Sequence, residues 1–225
     1  MDTYRSKDMI RHSQNSNLSL HHHSAYQGFS VQTERGPLIT DYLDRLWQVT
    51  QSALQQYPRV FAFRIDLRFP ADQSFHHFDN NLVVEKFIAS LKAKLRHNRS
   101  KAMALNPYAH DTEVRYVWCR EVGHHGIPHY HMAILLNNDA FCSLGHYEPG
   151  RDNMFNRLHE AWASALGLPV ESAMGLVEFP QNPFYLLQDS DPGALADFFY
   201  RSSYLCKAET KQYGNRVHGF GASRC

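Results

Sequence analysis

Between Phe61 and Phe69 the chain alternates without a break. Phe61, Phe63, Ile65, Leu67 and Phe69 fall on one side, and Ala62, Arg64, Asp66 and Arg68 on the other. A period of two is the mark of a β-strand, because successive side chains leave a strand on opposite faces. A strand with one wholly apolar face needs a sheet around it and a layer over it, so an all-helical fold is excluded.

The remaining pattern fills in around that strand. Val114 to Val122 reads as a second strand and His129 to Leu136 as a third, with Gly123 to Pro128 between them. So short a connection predicts an antiparallel hairpin. Helical spacing marks Asp41 to Tyr57, with Thr40 as its cap and Pro58 as its stop. It marks Asn81 to about Lys101, and Asp152 to Leu166 before Gly167 and Pro169. The last helix is expected from Gly193 to about Ala208, and Gly175 to Phe179 is a short strand. Residues 1–35 are rich in Ser, Asn, Gln and His, and are expected to form a flexible polar tail that includes His21-His22-His23. One α+β domain over 40–220 follows.

Composition narrows the setting more than the function. A formal net charge of +1 neither marks nor excludes a nucleic-acid binder, since a basic patch can be balanced elsewhere. Cys119, Cys142, Cys206 and Cys225 are scattered, so free thiols in a reducing compartment are expected. No apolar run approaches ~18 residues, and the N-terminus lacks a signal-peptide core. The expectation is a cytoplasmic protein with no membrane partner.

Chemistry concentrates in two places. In a strand, His129 and His131 point the same way and Tyr130 the other. If Glu121 sits across the hairpin from His129, Cys119 sits across from His131, and all four share a face. Two imidazoles and a carboxylate leave open positions on a divalent ion such as Mg²⁺ or Mn²⁺. A neighbouring Cys119 keeps zinc open as well. A one-residue slip would turn Glu121 away. A cupin would want a glutamate soon after His131, where this chain has Met132-Ala133-Ile134-Leu135-Leu136. A phosphoesterase with paired histidine motifs would want a second His-x-Thr or His-x-Ser strand, and none is visible. His124 and His125 in the turn face solvent or DNA rather than metal.

The second place is the last helix, where Asp197, Tyr200, Tyr204, Lys207 and Lys211 form one stripe. Tyrosines so spaced are as a rule packing residues with a wet hydroxyl. Phenol, with a reference pKa of ~10, attacks only when its anion is stabilised or its target is activated. A metal that polarises a phosphate oxygen does the second. Lys207 helps with both charges.

Taken in order, Phe61–Phe69, His129-Tyr130-His131 and Tyr200-x-x-x-Tyr204-x-x-Lys207 resemble the motifs of the HUH endonuclease superfamily, in its two-tyrosine replication-initiator form. More narrowly, Trp118-Cys119-Arg120-Glu121 and Ser203-Tyr204-Leu205-Cys206-Lys207 look like the YagK/YfjJ C-terminal domain family, which includes replication proteins of inovirus type. The first block departs from the usual Thr-rich form, with Arg64, Asp66 and Arg68 in its place.

The resemblance implies an RRM-like core: a central antiparallel sheet of about five strands with helices packed on one face. The metal site would lie on the other face, with the tyrosine helix beside it. The implied reaction is transesterification. Tyr204 attacks a phosphodiester in single-stranded or hairpin DNA, forms a 5′-phosphotyrosine link and frees a 3′-hydroxyl, and Tyr200 serves a second cleavage. This is rolling-circle initiation for a phage, prophage or plasmid, with a host helicase as a further partner. The catalytic set would be Tyr204, Tyr200 and Lys207, and the metal set His129, His131 and Glu121. DNA would be held by Arg64 and Arg68, and along the next helix by Lys92, Lys94, Arg96 and Arg99. Phe75, Tyr108 and Tyr185 are candidates for base stacking, with His76, His77 and Arg216 beside them. Two other readings stand next to this one: a DNA-binding regulator of the same fold without chemistry, and a metal-dependent phosphodiester hydrolase that uses water.

Overall fold

The computed structural model describes residues 10–71, 80–123, 126–209, 211 and 217–224. Phe75, His76, His77, His124, His125, Arg216 and Cys225 lie outside the described residues. In chain order the first elements are β1 (Arg11–His12), β2 (Asn15–His21), β3 (Ala25–Tyr26), β4 (Phe29–Ser30), β5 (Leu38–Ile39), α1 (Thr40–Gln56) and β6 (Val60–Arg68). Then come α2 (Leu82–Leu105), β7 (Arg115–Val122), β8 (Pro128–Asn137), α3 (Met154–Leu166), α4 (Val170–Ala173), β9 (Val177–Glu178) and β10 (Phe184–Leu187). The chain closes with α5 (Pro192–Ser203), a 3₁₀ turn (Tyr204–Cys206) and β11 (Phe220–Ala222).

A six-stranded antiparallel sheet organises the molecule, in the order β10-β6-β8-β7-β11, with β9 also pairing β6. The alternating segment is one of its central strands, bonded to β8 along its whole length from Val60–Asn137 to Arg68–His129. Its apolar face carries Phe61, Phe63, Ile65 and Leu67 into one core with Phe87 and Leu91 of α2 and Leu158 and Trp162 of α3.

Helices were expected on one face only, and the structure corrects this. The opposite face carries Val60, Ala62, Val117, Ala133 and Leu135 into a second core with Leu43, Leu46 and Val49 of α1 and Phe198 and Phe199 of α5. The physical reason is in β8. Met132 to Leu136 is apolar at every position, so both faces of that strand need cover. One end of β6, β7 and β8 puts Asp66, Glu121, His129 and His131 on this second face.

Residues 10–35 are also not a polar tail. β2 pairs with β1 and β5, and Tyr26 and Val31 are buried in the second core. The anchors are few and widely spaced, which is why composition hid them. Thr40 is the first helical residue rather than a cap, and no side chain caps that end of α1. The last helix stops earlier than expected, at Ser203. After the 3₁₀ turn the backbone of Lys207 is extended and bridges Leu38. Among the described residues no helix is long and apolar enough to cross a membrane.

Candidate metal centre

The hairpin takes the register that puts Glu121, Cys119 and both histidines on one face. Glu121 pairs with His129 and Cys119 with His131. Glu121, His129 and His131 come together as a group whose ligand atoms all lie within 4.8 Å of one another. His129 Nε2 and His131 Nε2 are 3.1 Å apart. Glu121 Oε2 stands 3.4 Å from His131 Nε2 and 3.9 Å from His129 Nε2.

Donors about 2.1 Å from a shared ion stand roughly 3.0–3.5 Å apart at octahedral to tetrahedral angles. Two of the three separations fall in that range and the third lies just outside it. Two neutral imidazoles and one carboxylate are also a donor set that suits a divalent cation. The group therefore fits a metal ion. The donors alone do not decide which one.

A fourth residue orients the site. Asp66 of β6 pairs with His131 in the ladder, and its Oδ1 is 2.6 Å from His131 Nδ1. In the neutral ring Nδ1–H donates to Asp66, which leaves the lone pair of Nε2 facing the group, as outer carboxylates do for metal-binding histidines. Burial opposes protonation of His131, but Asp66 and Glu121 outweigh it and raise its pKa. His129 is lowered, by burial and then by His131.

Cys119 stays outside the group of three. Its Sγ is 4.0 Å from Glu121 Oε1, and burial pushes its pKa up to about 11. Lys211 was noted in the sequence only as part of a stripe, yet it reaches the same place. Its Nζ is 3.5 Å from Glu121 Oε1, and its side chain is fully buried.

Tyr204 opens the 3₁₀ turn and reaches the group. Its hydroxyl donates to Glu121 Oε2 at 3.3 Å, and its ring stands edge-on to His131 with centroids 5.3 Å apart. Burial, then the charge of Glu121, raises its pKa to about 12. Lys207 Nζ lies 4.8 Å from the centre of the Tyr204 ring, and Arg64 Cζ lies 5.8 Å from it.

Tyr200 is held elsewhere. Its hydroxyl donates to Glu34 Oε1 at 3.2 Å, on the N-terminal segment. That segment also braces the end of α5. Gln32 Nε2 donates to Tyr200 O at 2.9 Å, the Gln32 amide donates to Ser203 Oγ, and the Ala208 amide donates to Pro37 O.

Residues 21–223 match the family described as the YagK/YfjJ C-terminal domain. The chain belongs to the YagK/YfjJ C-terminal domain family. It is 32% identical over 205 residues to an Escherichia coli K12 protein described as uncharacterized protein YfjJ, a match that covers 85% of this chain and 98% of that one. It is 30% identical over 206 residues to uncharacterized protein YagK of the same strain, covering 87% of this chain and 98% of that one. No solved structure matches it. The family match begins within the segment expected as a tail, in keeping with the place of that segment in the YagK/YfjJ fold.

The cations expected to hold DNA divide into two groups in this YagK/YfjJ domain. Arg64 and Arg68 share the face of the metal group. Arg64 is buried, donates through Nη1 to Arg201 O at 3.1 Å, and has no partner for Nε among the described residues. Arg68 pairs with Glu178 at 2.6 Å at the surface. Lys92, Lys94, Arg96 and Arg99 lie on α2, across the sheet from the metal group. Lys94 pairs with Glu160 at 2.7 Å, and Arg99 stacks 4.4 Å from the centre of Phe141. Lys92 and Arg96 line a cavity of about 600 Å³ between α2 and β7. Tyr185 packs edge-on against Phe198, whereas Tyr108 is exposed. Asp66 and Lys211 are the two site residues that sequence reasoning did not place. Asp66 sat on the polar side of the alternating strand, but nothing local said that it would face His131.

Proposed function

We propose that this protein is a metal-dependent enzyme of the HUH type that nicks and joins single-stranded DNA, with Tyr204 as the nucleophile. The observation that carries this reading is the meeting of the Tyr204 hydroxyl with Glu121 beside the two imidazoles, at 3.3 Å. A packing tyrosine has no need to sit on a ligand-grade cluster. The residues that hold the ion would be Glu121, His129 and His131, with Asp66 fixing the ring of His131.

When bound, a divalent ion such as Mg²⁺ or Mn²⁺ supplies Lewis-acid polarisation of a phosphate oxygen and offsets the Glu121 charge that keeps the phenol protonated. Tyr204 Oη attacks the phosphorus of a phosphodiester and gives up its proton to solvent. The P–O3′ bond breaks, and O3′ leaves and takes up a proton. The product is a 5′-phosphotyrosine ester and a free 3′-hydroxyl. One ester replaces another, so the joining step needs no ATP. Lys207 and Arg64 flank the ring and hold phosphate charge. Tyr200 serves a second cleavage from its position on Glu34. The setting we propose is rolling-circle initiation on a phage, prophage or plasmid in the bacterial cytoplasm, with single-stranded or hairpin DNA as substrate and a host helicase as partner.

The test is a denaturing gel of protein incubated with Mn²⁺ and a tiled set of labelled single-stranded and hairpin oligonucleotides. A covalent protein–DNA band is expected, absent in Tyr204→Phe and in His129→Ala. Cleaved DNA without an adduct would replace this reading with hydrolysis by water. Bound but uncut DNA across the whole set would replace it with a DNA-binding regulator.

A further inference from the structure

Lys211 occupies a position that the reaction above does not use. Its side chain has no exposed surface, and that of Glu121 is 7% exposed. A buried ammonium is tolerated only next to a negative partner. Here that partner is a carboxylate of the metal group. The carboxylate is divided: Oε1 faces Lys211 Nζ at 3.5 Å, while Oε2 faces His131, His129 and the Tyr204 hydroxyl. The buried thiols of Cys119 and Cys206 also lie close to Lys211.

We propose that Lys211 acts as a built-in second cation of this centre. It takes Oε1 of Glu121, leaves Oε2 as a one-oxygen ligand, and limits the site to a single divalent ion held more loosely than the donors alone would hold it. This rests on the metal reading above. The physical argument is competition. A positive charge a few ångströms beyond a shared carboxylate opposes a divalent ion on its other oxygen, and low local polarity strengthens the opposition. It also fills the place where a second ion would bridge the same carboxylate. Lys211 is thus a positioning residue for Glu121 rather than a group that touches substrate.

The test is calorimetric titration of the metal-free full chain with Mn²⁺ at about pH 8, where free carboxylates are ionised, with His129→Ala as the control for binding elsewhere. Lys211→Met should bind Mn²⁺ tighter by roughly tenfold or more, while Lys211→Arg should stay close to wild type. If Lys211→Met does not fold, Lys211→Gln takes its place. Independently, the electron paramagnetic resonance spectrum of saturated wild type should show one uncoupled Mn²⁺ per chain. Equal or weaker binding by the neutral variants, or a spin-coupled ion pair in wild type, overturns the inference while leaving the DNA reaction standing. Failure of wild type to take up more Mn²⁺ than His129→Ala overturns both.

Discussion

Asp66 accounts for more of the site than its plain place in the sequence suggests. It accepts from His131 at 2.6 Å and so sets which nitrogen of that ring is available. Asp66→Asn keeps the shape but loses the charge, and Mn²⁺ affinity measured by calorimetry should fall by about 10–100-fold.

His159 offers a separate readout on the far side of the sheet. It is 1% exposed, with Nδ1 bonded to Phe155 O at 2.9 Å, and burial lowers its pKa. The unfolded chain therefore takes up a proton more readily than the folded one. Stability from the neutral ring is complete above about pH 6.5 and is lost as the pH falls through the lower folded value. Thermal melts from about pH 7 to pH 5 should show a smaller drop for His159→Gln than for wild type.

At this scale the sequence was most legible where partners are close along the chain. Glu121, His129 and His131 sit on one hairpin, so a short turn and a period of two were enough to bring them together. Asp66 and Lys211 come from strands and loops far away. Their approach depends on the register of β6 on β8 and on where the chain returns as β11, and no local pattern records either.

Among the elements, α5 and its 3₁₀ continuation decide where Tyr200 and Tyr204 stand. The change of helix type at Ser203 turns Tyr204 toward the hairpin while Tyr200, one turn back, meets Glu34. Gln32 braces that end by donating to Tyr200 O and Arg201 O, carbonyls that also accept from Ser203 Oγ and Arg64 Nη1 respectively. Gln32→Ala should leave Mn²⁺ affinity within about twofold and slow adduct formation by roughly tenfold, a cost in line with the loss of a half-buried hydrogen bond. Single-turnover gels and calorimetry on the same protein would separate the two effects. The long helices and central strands were legible because their apolar periods are strong. β10 and β11 were not, since each is a few residues long and owes its form to an edge of the sheet. The strands before α1 escaped for a similar reason: β2 alternates weakly, and Tyr26 and Val31 are isolated apolar residues in a polar stretch.

For the whole molecule, the sheet is a partition. α2 and α3 seal one side, α1 and α5 the other, and the metal group opens at the strand ends on the α1 and α5 side. The basic run on α2 therefore faces away from Tyr204, and three of its four cations are already engaged, with Tyr116, Glu160 and Phe141. Replacing Lys92, Lys94, Arg96 and Arg99 together with Ala should change the Mn²⁺-dependent adduct yield by less than about threefold at moderate salt, because charges across a folded domain are screened. Arg64→Ala should reduce that yield far more on the same gel.

The bond from Gln32 to Tyr200 joins residues 168 positions apart. During synthesis this contact must wait until α5 has left the ribosome. An interrupted translation product thus carries the imidazole pair without the Tyr204 hydroxyl that meets Glu121 beside it.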